Sequence, residues 1–317
     1  MSERTVGVAF AAAAAILFGS SYVATAFQLH GFTPIAGAFW RSALATIAVA
    51  VVSSVASIRR RGVPRPEPPP AAVGRLVRLV ALGLLGGCVF LAGMNLAVAL
   101  IGATITSFVA GLYAILAALF APFVLGERLE RRAVAGFAVA LVGTALLSEL
   151  APSGDTLGGL VAGGMAAVSY GLYLVLIRRW SRAIQAGPLA VTLANTGMAT
   201  AGLGLIILAQ DPSAFLPRAA PPDVVVATAW LVVVSASGTL LVTAALRSVD
   251  ARLVSSMLLL NPVTATILAA LLLAESPTPP QLVGGLLVLA GMAASTDLVG
   301  VLRRRRSADG AEVDVAA

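Results

Sequence analysis

Ten apolar stretches, each about as long as the hydrocarbon core of a bilayer is thick, occupy this 317-residue chain almost end to end. A helix rises 1.5 Å per residue, so about 20 apolar residues cross a core of ~30 Å. The expected fold is therefore an all-α integral membrane protein with ten transmembrane helices. The spans are read as Gly7–Phe27, Pro34–Ser57, Leu76–Ala99, Ala103–Leu125, Ala133–Ser148, Gly158–Ile177, Pro188–Ala209, Val224–Leu246, Arg252–Ala274 and Leu282–Leu302. Only 11% of residues are charged against 59% hydrophobic, too little charge to cover the surface of a soluble domain of this length.

The connections carry the breakers: Gly31 to Pro34, Pro64 to Pro70, Gly187-Pro188, Asp211-Pro212, Pro221-Pro222 and Pro277 to Pro280. The stretch Pro64 to Pro70 reads as a stiff cytoplasmic loop. The first 27 residues also fit the outline of a signal peptide, with Arg4 ahead of an apolar run and Ala24-Thr25-Ala26 as a cleavage site. The duplication described next needs this helix, so a retained first span is expected.

Arginine sets the orientation. With ten alternating spans and the N-terminus inside, 19 of the 21 basic residues fall on inner segments and one, Arg218, on an outer loop. The remaining one, Arg41, lies within a span. Both termini are thus expected in the cytoplasm, with a multi-pass location in the cell (plasma or inner) membrane. The basic residues sit in short clusters between spans, which argues against nucleic acid as the partner of this +7 chain.

The segment starting at Gly102 aligns without a gap to the segment starting at Asp250. At this shift of 148 residues Ser107 meets Ser255, Glu127 meets Glu275, Gly136 meets Gly284, Gly143 meets Gly291 and Glu149 meets Asp297. Earlier parts match more loosely: Gly19 falls near Gly171, and Pro34 corresponds to Pro188. The chain divides into five-helix repeats at residues 1–150 and 151–302, followed by a disordered cytoplasmic tail at 303–317. Five is odd, so the second repeat is expected upside down. Inverted repeats are the architecture of secondary transporters, in which exchanging the conformations of the halves moves access from one side to the other.

Four sequence elements resemble one family. They are LFGSSY (Leu17–Tyr22), Pro34 followed by Arg41, MNLAVALIGATITSF (Met94–Phe108), and Gly126-Glu127-Arg128 with Gly136. Together they resemble the ten-helix EamA-type family of the drug/metabolite transporter superfamily, over about residues 5 to 302. The resemblance implies a central cavity lined by the first, third, fourth, sixth, eighth and ninth spans. The second repeat departs from the motif, with Ala274-Glu275-Ser276 in place of Gly-Glu-Arg.

Polar residues near the span centres are the candidates for substrate contact: Ser20, Tyr22, Arg41, Asn95, Tyr113, Ser169, Tyr170, Ser237 and Asn261. The stretch Ser235 to Thr239 and the pair Asn261-Pro262 are the best places for loosened helix, because proline lacks the N–H that would bond the preceding turn. Small hydroxyl residues also serve close helix packing. Arg41 has two readings: a clamp for a carboxylate or phosphate, or a structural arginine that snorkels or bonds helix-end carbonyls. The second is the expectation. Glu127 and Glu275 are expected to cap the helices that follow them. No acid occupies a span centre, so the coupling ion stays unidentified.

The only histidine, His30, falls in a loop, and the only cysteine, Cys88, in a span. Neither a metal constellation nor a nucleotide-binding fingerprint is present; no cofactor and no enzymatic activity are expected. The partners are a small-molecule substrate and the lipid bilayer. The function expected is secondary transport of a small organic metabolite, with export of an amino acid or related compound by alternating access in front. Efflux of a drug or nucleoside-like compound is the alternative, disfavoured by an aromatic content of 6%. A non-transporting scaffold or sensor is the reading from another class; it has no need of an inverted duplication.

Overall fold

The structure, a computed structural model, describes residues 3–59, 72–126, 128, 130–147, 154–184, 187–249, 254 and 257–295. The loop Pro64 to Pro70, Glu127, Glu149, Asp250, Ser255, Asp297 and the tail at 303–317 lie outside them. The described residues contain no strand. The helices are α1 (Glu3–Gln28), α2 (Pro34–Arg59), α3 (Ala72–Gly83), α4 (Phe90–Gly111), α5 (Tyr113–Leu125), α6 (Arg131–Leu147), α7 (Gly154–Ile184), α8 (Pro188–Gln210), α9 (Pro222–Ser248), α10 (Leu260–Leu272) and α11 (Pro279–Ser295). Four of them begin on a proline, whose fixed φ suits the first helical position and whose missing N–H is no loss there.

A π-helical turn, Leu84–Val89, joins α3 to α4. The apolar stretch Val73–Leu125 is 53 residues long, roughly 80 Å if it were one straight helix, far more than a bilayer. Gly102 divides it, with φ 74° and ψ 173°, a backbone that residues with a Cβ rarely adopt. The break falls where the sequence separates its third and fourth spans.

Among the described residues six stretches are long and apolar enough to cross a membrane, and the chain is a multi-pass membrane protein. The expectation of ten full-length spans is met only in part. Among the described residues the fifth, ninth and tenth expected spans correspond to helices of 17, 13 and 17 residues; residues 148, 252, 253, 255, 256 and 296–302 of those spans lie outside the described ones. The ninth expected span is interrupted ahead of Pro262, which has no amide to give: residues 254 and 257 are helical, 258 and 259 form a turn, and the Leu258 carbonyl accepts from the Asn261 N–H at 3.1 Å instead.

The helices pack through small residues, which let backbones approach where lipid offers no hydrophobic drive. One core cluster joins Tyr22 and Val23 of α1, Met94 and Val98 of α4, Ala166 of α7, and Ala265 and Ala269 of α10. Helices α6 and α11 meet through glycines. A Cβ added to Gly143 would lie 2.5 Å from the Gly284 carbonyl oxygen, and one added to Gly284 would lie 2.6 Å from that of Gly143. Gly291 sits as tightly on the Gly136 carbonyl. The later residue of α6 thus meets the earlier residue of α11, so the two helices run antiparallel. The 148-residue shift carries the contact of Gly143 with Gly284 onto that of Gly291 with Gly136, as a two-fold relation requires.

The main packing pairs are α1 with α9, α4 with α7, α2 with α8, α6 with α11, α5 with α7, and α1 with α10. Match α1 to α7, α2 to α8, the α3–α4 rod to α9, α5 to α10, and α6 to α11. Exchanging the two sets returns the same list of pairs. Between α8 and α9, Asp211 accepts from the Ser213 N–H at 2.9 Å and the Ser213 hydroxyl at 2.7 Å. These bonds hold its exposed carboxyl below the usual carboxylate range.

Candidate functional site

A cavity of about 80 Å³ lies where the two repeats meet. It is lined from α1 (Phe18, Ser21, Tyr22), α2 (Arg41), the π turn (Gly86, Gly87), α4 (Phe90, Leu91, Met94), α5 (Tyr113), α7 (Tyr170), α8 (Thr192, Asn195, Thr196), α9 (Val234, Ser235, Thr239) and α10 (Asn261). The second and seventh expected spans therefore line it too, in addition to those the resemblance implies.

Arg41 is buried, at 4% exposure. Its Nε and Nη2 both donate to the Ser235 hydroxyl at 3.2 Å, and its Nη1 is buried with no partner. Among the described residues no carboxylate pairs with it. The bond partner differs from the helix-end carbonyls expected from sequence. The guanidinium instead donates to a neutral hydroxyl across the repeat boundary. A guanidinium at membrane depth costs at least about 2.5–3.5 kcal/mol, and one hydroxyl oxygen shared by two donors returns little of it.

The aromatic residues are few but concentrated. Three of the four tyrosines of the chain line the cavity, and the fourth, Tyr173, packs against one of them. Tyr170 packs on Phe90 with ring centroids 4.6 Å apart, edge-on to Tyr113 at 5.0 Å, and on Tyr173 at 5.2 Å. The Asn195 amide donates to the Tyr173 hydroxyl at 3.1 Å, and its oxygen is buried without a partner, as is that of Asn261. The glycines of the π turn make room for this group. A Cβ on Gly86 would stand 2.7 Å from the Tyr173 ring, and one on Gly87 would collide with the Asn195 carbonyl.

The lining follows the duplication. The 148-residue shift relates Tyr113 to Asn261, Gly87 to Ser235 and Leu91 to Thr239. The shift that takes Pro34 to Pro188 takes Arg41 to Asn195, and the one that takes Gly19 to Gly171 takes Phe18 to Tyr170. All ten residues line the cavity.

Of the nine candidates, Tyr22, Arg41, Tyr113, Tyr170 and Asn261 come together here. The other four do not line the cavity. Ser20 donates to the Leu17 carbonyl at 2.7 Å and accepts from the Trp230 indole at 2.8 Å. Asn95 donates to the Pro34 carbonyl at 3.0 Å, Ser169 to the Leu85 carbonyl of the π turn at 2.5 Å, and Ser237 to Val233 of its own helix at 2.6 Å. Sequence reading missed Asn195, Thr192 and Thr196. Applying the Pro34-to-Pro188 shift to Arg41 is the signal that would have found Asn195.

Glu275 also departs from expectation. Its two carboxylate oxygens accept from the Ala103 and Thr104 N–H groups, at 3.0 and 3.1 Å. It therefore caps a helix of the other repeat rather than the one that follows it. The following helix has its own caps: Thr278 N–H donates to Gln281 Oε1 at 3.1 Å, and Gln281 N–H to Thr278 Oγ1 at 3.4 Å.

The model of the EamA-like transporter family matches residues 5–149 and again residues 157–296. Among solved structures, a protein crystal structure aligns over 93% of this chain and 98% of its own, with a TM-score of 0.62 and 22% identity; at that identity the likeness shows the fold. No curated protein matches. Two consecutive matches that together cover most of the sequence place the chain in the EamA-like transporter family, a family of membrane transporters of small molecules.

Proposed function

We propose that this protein is a secondary transporter for a small organic metabolite that carries an anionic group, an amino acid or a related compound, exported across the cell membrane by alternating access. The observation that carries the reading is Arg41: a buried guanidinium beside a cavity, with an unsatisfied Nη1 and no carboxylate partner among the described residues. A substrate carboxylate supplies what it lacks. The unpartnered oxygens of Asn195 and Asn261 suit an ammonium group, and the rings of Phe90 and Tyr170 an apolar body.

The remaining features of the reading have support of different kinds. Antiparallel packing of α6 on α11 favours inverted repeats. The ten-span count rests on the helix positions taken with the 19-to-1 arginine asymmetry, as do cytoplasmic termini. Flux then follows an existing gradient.

The test is counterflow in proteoliposomes with a panel of labelled amino acids and their amides. Wild type is expected to exchange at least one amino acid, and Arg41→Gln to lose it while amides lacking the carboxylate are unaffected. Loss of all solutes alike, with the protein folded, would assign Arg41 to structure. The concentration of aromatic rings favours a second reading, efflux of a planar drug or nucleoside-like compound. The guanidinium repels cationic members of that class, so saturable uptake of an organic cation would favour it over the first.

A further inference from the structure

We propose that Glu275 is a latch between the two halves, holding them together at the face where the α10–α11 connection meets the start of the helix after Gly102. The inference rests on the alternating-access reading above.

The contact is built from both repeats. The carboxylate belongs to the second repeat and the two N–H donors, Ala103 and Thr104, to the first. A carboxylate on two amides at a helix N-terminus makes charge-assisted bonds that also meet the positive end of the helix dipole.

Two backbone conformations serve the contact. Gly102, at φ 74°, turns the chain so that both amides face Glu275; a Cβ there would stand 3.0 Å from Glu275 Oε1. Ala274, at φ 54°, is the one non-glycine residue with positive φ among the described residues. It occupies the repeat position of Gly126, at φ 72°. The second repeat thus keeps the left-handed turn although it has lost the glycine, and that turn sets the direction in which Glu275 leaves α10. An alanine in this region is strained.

The neighbours agree with a moving part. Helix α10 packs on α1 and α4 of the other half, so separating the halves at this face pulls Glu275 from its amides. Thr278 and Gln281 cap α11 by themselves; Glu275 is not needed for that helix. Breaking the latch leaves two amides and a carboxylate exposed to water, which solvates them. The closed face is therefore favoured by the contact without being locked.

The test reads conformation directly. Nitroxide labels go on Ala99→Cys and Ser276→Cys, both exposed positions flanking the contact, in a Cys88→Ala background that removes the only native thiol. Spin–spin distances are measured in liposomes. Glu275→Gln is expected to raise the ratio of long to short distances roughly tenfold, the size expected for losing the charge from a pair of charged hydrogen bonds. Gly102→Ala keeps the carboxylate but crowds it, and is expected to shift the distances the same way. Should Glu275→Gln fail to fold, Gly102→Ala and Glu275→Asp carry the test. Distances identical to the parent in folded variants would overturn the latch and leave a static helix cap. A protein that shows the shift but moves no solute keeps the latch and loses the proposed function; one that moves solute with unmoved distances does the reverse.

Discussion

Replacing Gly143 by alanine places a methyl group 2.5 Å from the Gly284 carbonyl oxygen and 2.8 Å from the Val288 nitrogen. The first distance is 0.9 Å short of the 3.4 Å at which ordinary contact begins. Both neighbours are backbone atoms, so relief requires α6 and α11 to separate. A gap of 0.5–1 Å along an interface forfeits a quarter to a half of its dispersion wells, and overpacking costs about 1–3 kcal/mol. Helix propensity returns up to about 1 kcal/mol when glycine becomes alanine. The net loss expected for Gly143→Ala is about 1–2 kcal/mol. Gly164 is the control: it is helical, and a Cβ there meets nothing within 4 Å, so Gly164→Ala gains up to about 1 kcal/mol. The repeat image, Gly291→Ala, faces the Gly136 carbonyl and should cost as much as Gly143→Ala. The double variant should cost less than the sum, because one separation relieves both clashes. The assay is thermal unfolding in detergent, read by a fluorogenic thiol dye on Cys88, which is 6% exposed when folded. At roughly 2–4 °C per kcal/mol in chains somewhat smaller than this, Gly143→Ala should melt several degrees below Gly164→Ala. Equal midpoints would refute the close antiparallel contact and with it the two-fold relation of the halves.

Ala274→Gly should stabilise the protein by about 1 kcal/mol, since glycine has no Cβ to strain at φ 54°; the same melting assay checks it, and a loss would speak against the left-handed turn. Tyr173→Phe strands the Asn195 amide hydrogens and should cost about 1–3 kcal/mol, while adding Asn195→Leu to it should recover part of that loss; an additive double mutant would show that the two side chains do not interact. For Asp211, the carboxyl is held low in the folded chain, so its contribution is present above the ordinary carboxylate pKa and fades as pH falls through the folded value. Ser213→Ala should raise the Asp211 titration toward normal, measured by NMR of labelled aspartate, and the melting points of parent and variant should converge in acid; a titration left in place would show that the serine is not the cause.

Helix positions were readable in the sequence because lipid demands long apolar runs, and the boundary near Gly102 because a glycine between two such runs marks where a helix stops. Tyr113 and Asn261 were readable at the cavity by counting to span centres, since polar groups at mid-span tend to face a shared chamber rather than lipid. Serines were not. Ser20 and Ser237 satisfy themselves on their own helix backbone, and nothing in a sequence separates that outcome from a substrate contact. The clustering of the aromatic residues was hidden for a different reason. A content of 6% describes the whole chain, whereas the tyrosines all stand at one place, and composition cannot see placement. The partners of Glu275 lie 172 and 171 residues away, beyond any local cap rule.

Arg41 and Asn195 hold corresponding positions in the two copies, yet one is charged and the other is neutral. Were both positions arginine, two like charges would share one small cavity and repel each other. With one of each, the chamber is lopsided: its fixed positive charge lies on the side of the first copy. Two joined copies in a single chain thus permit what a pair of identical subunits cannot, a repeated framework around an unequal lining.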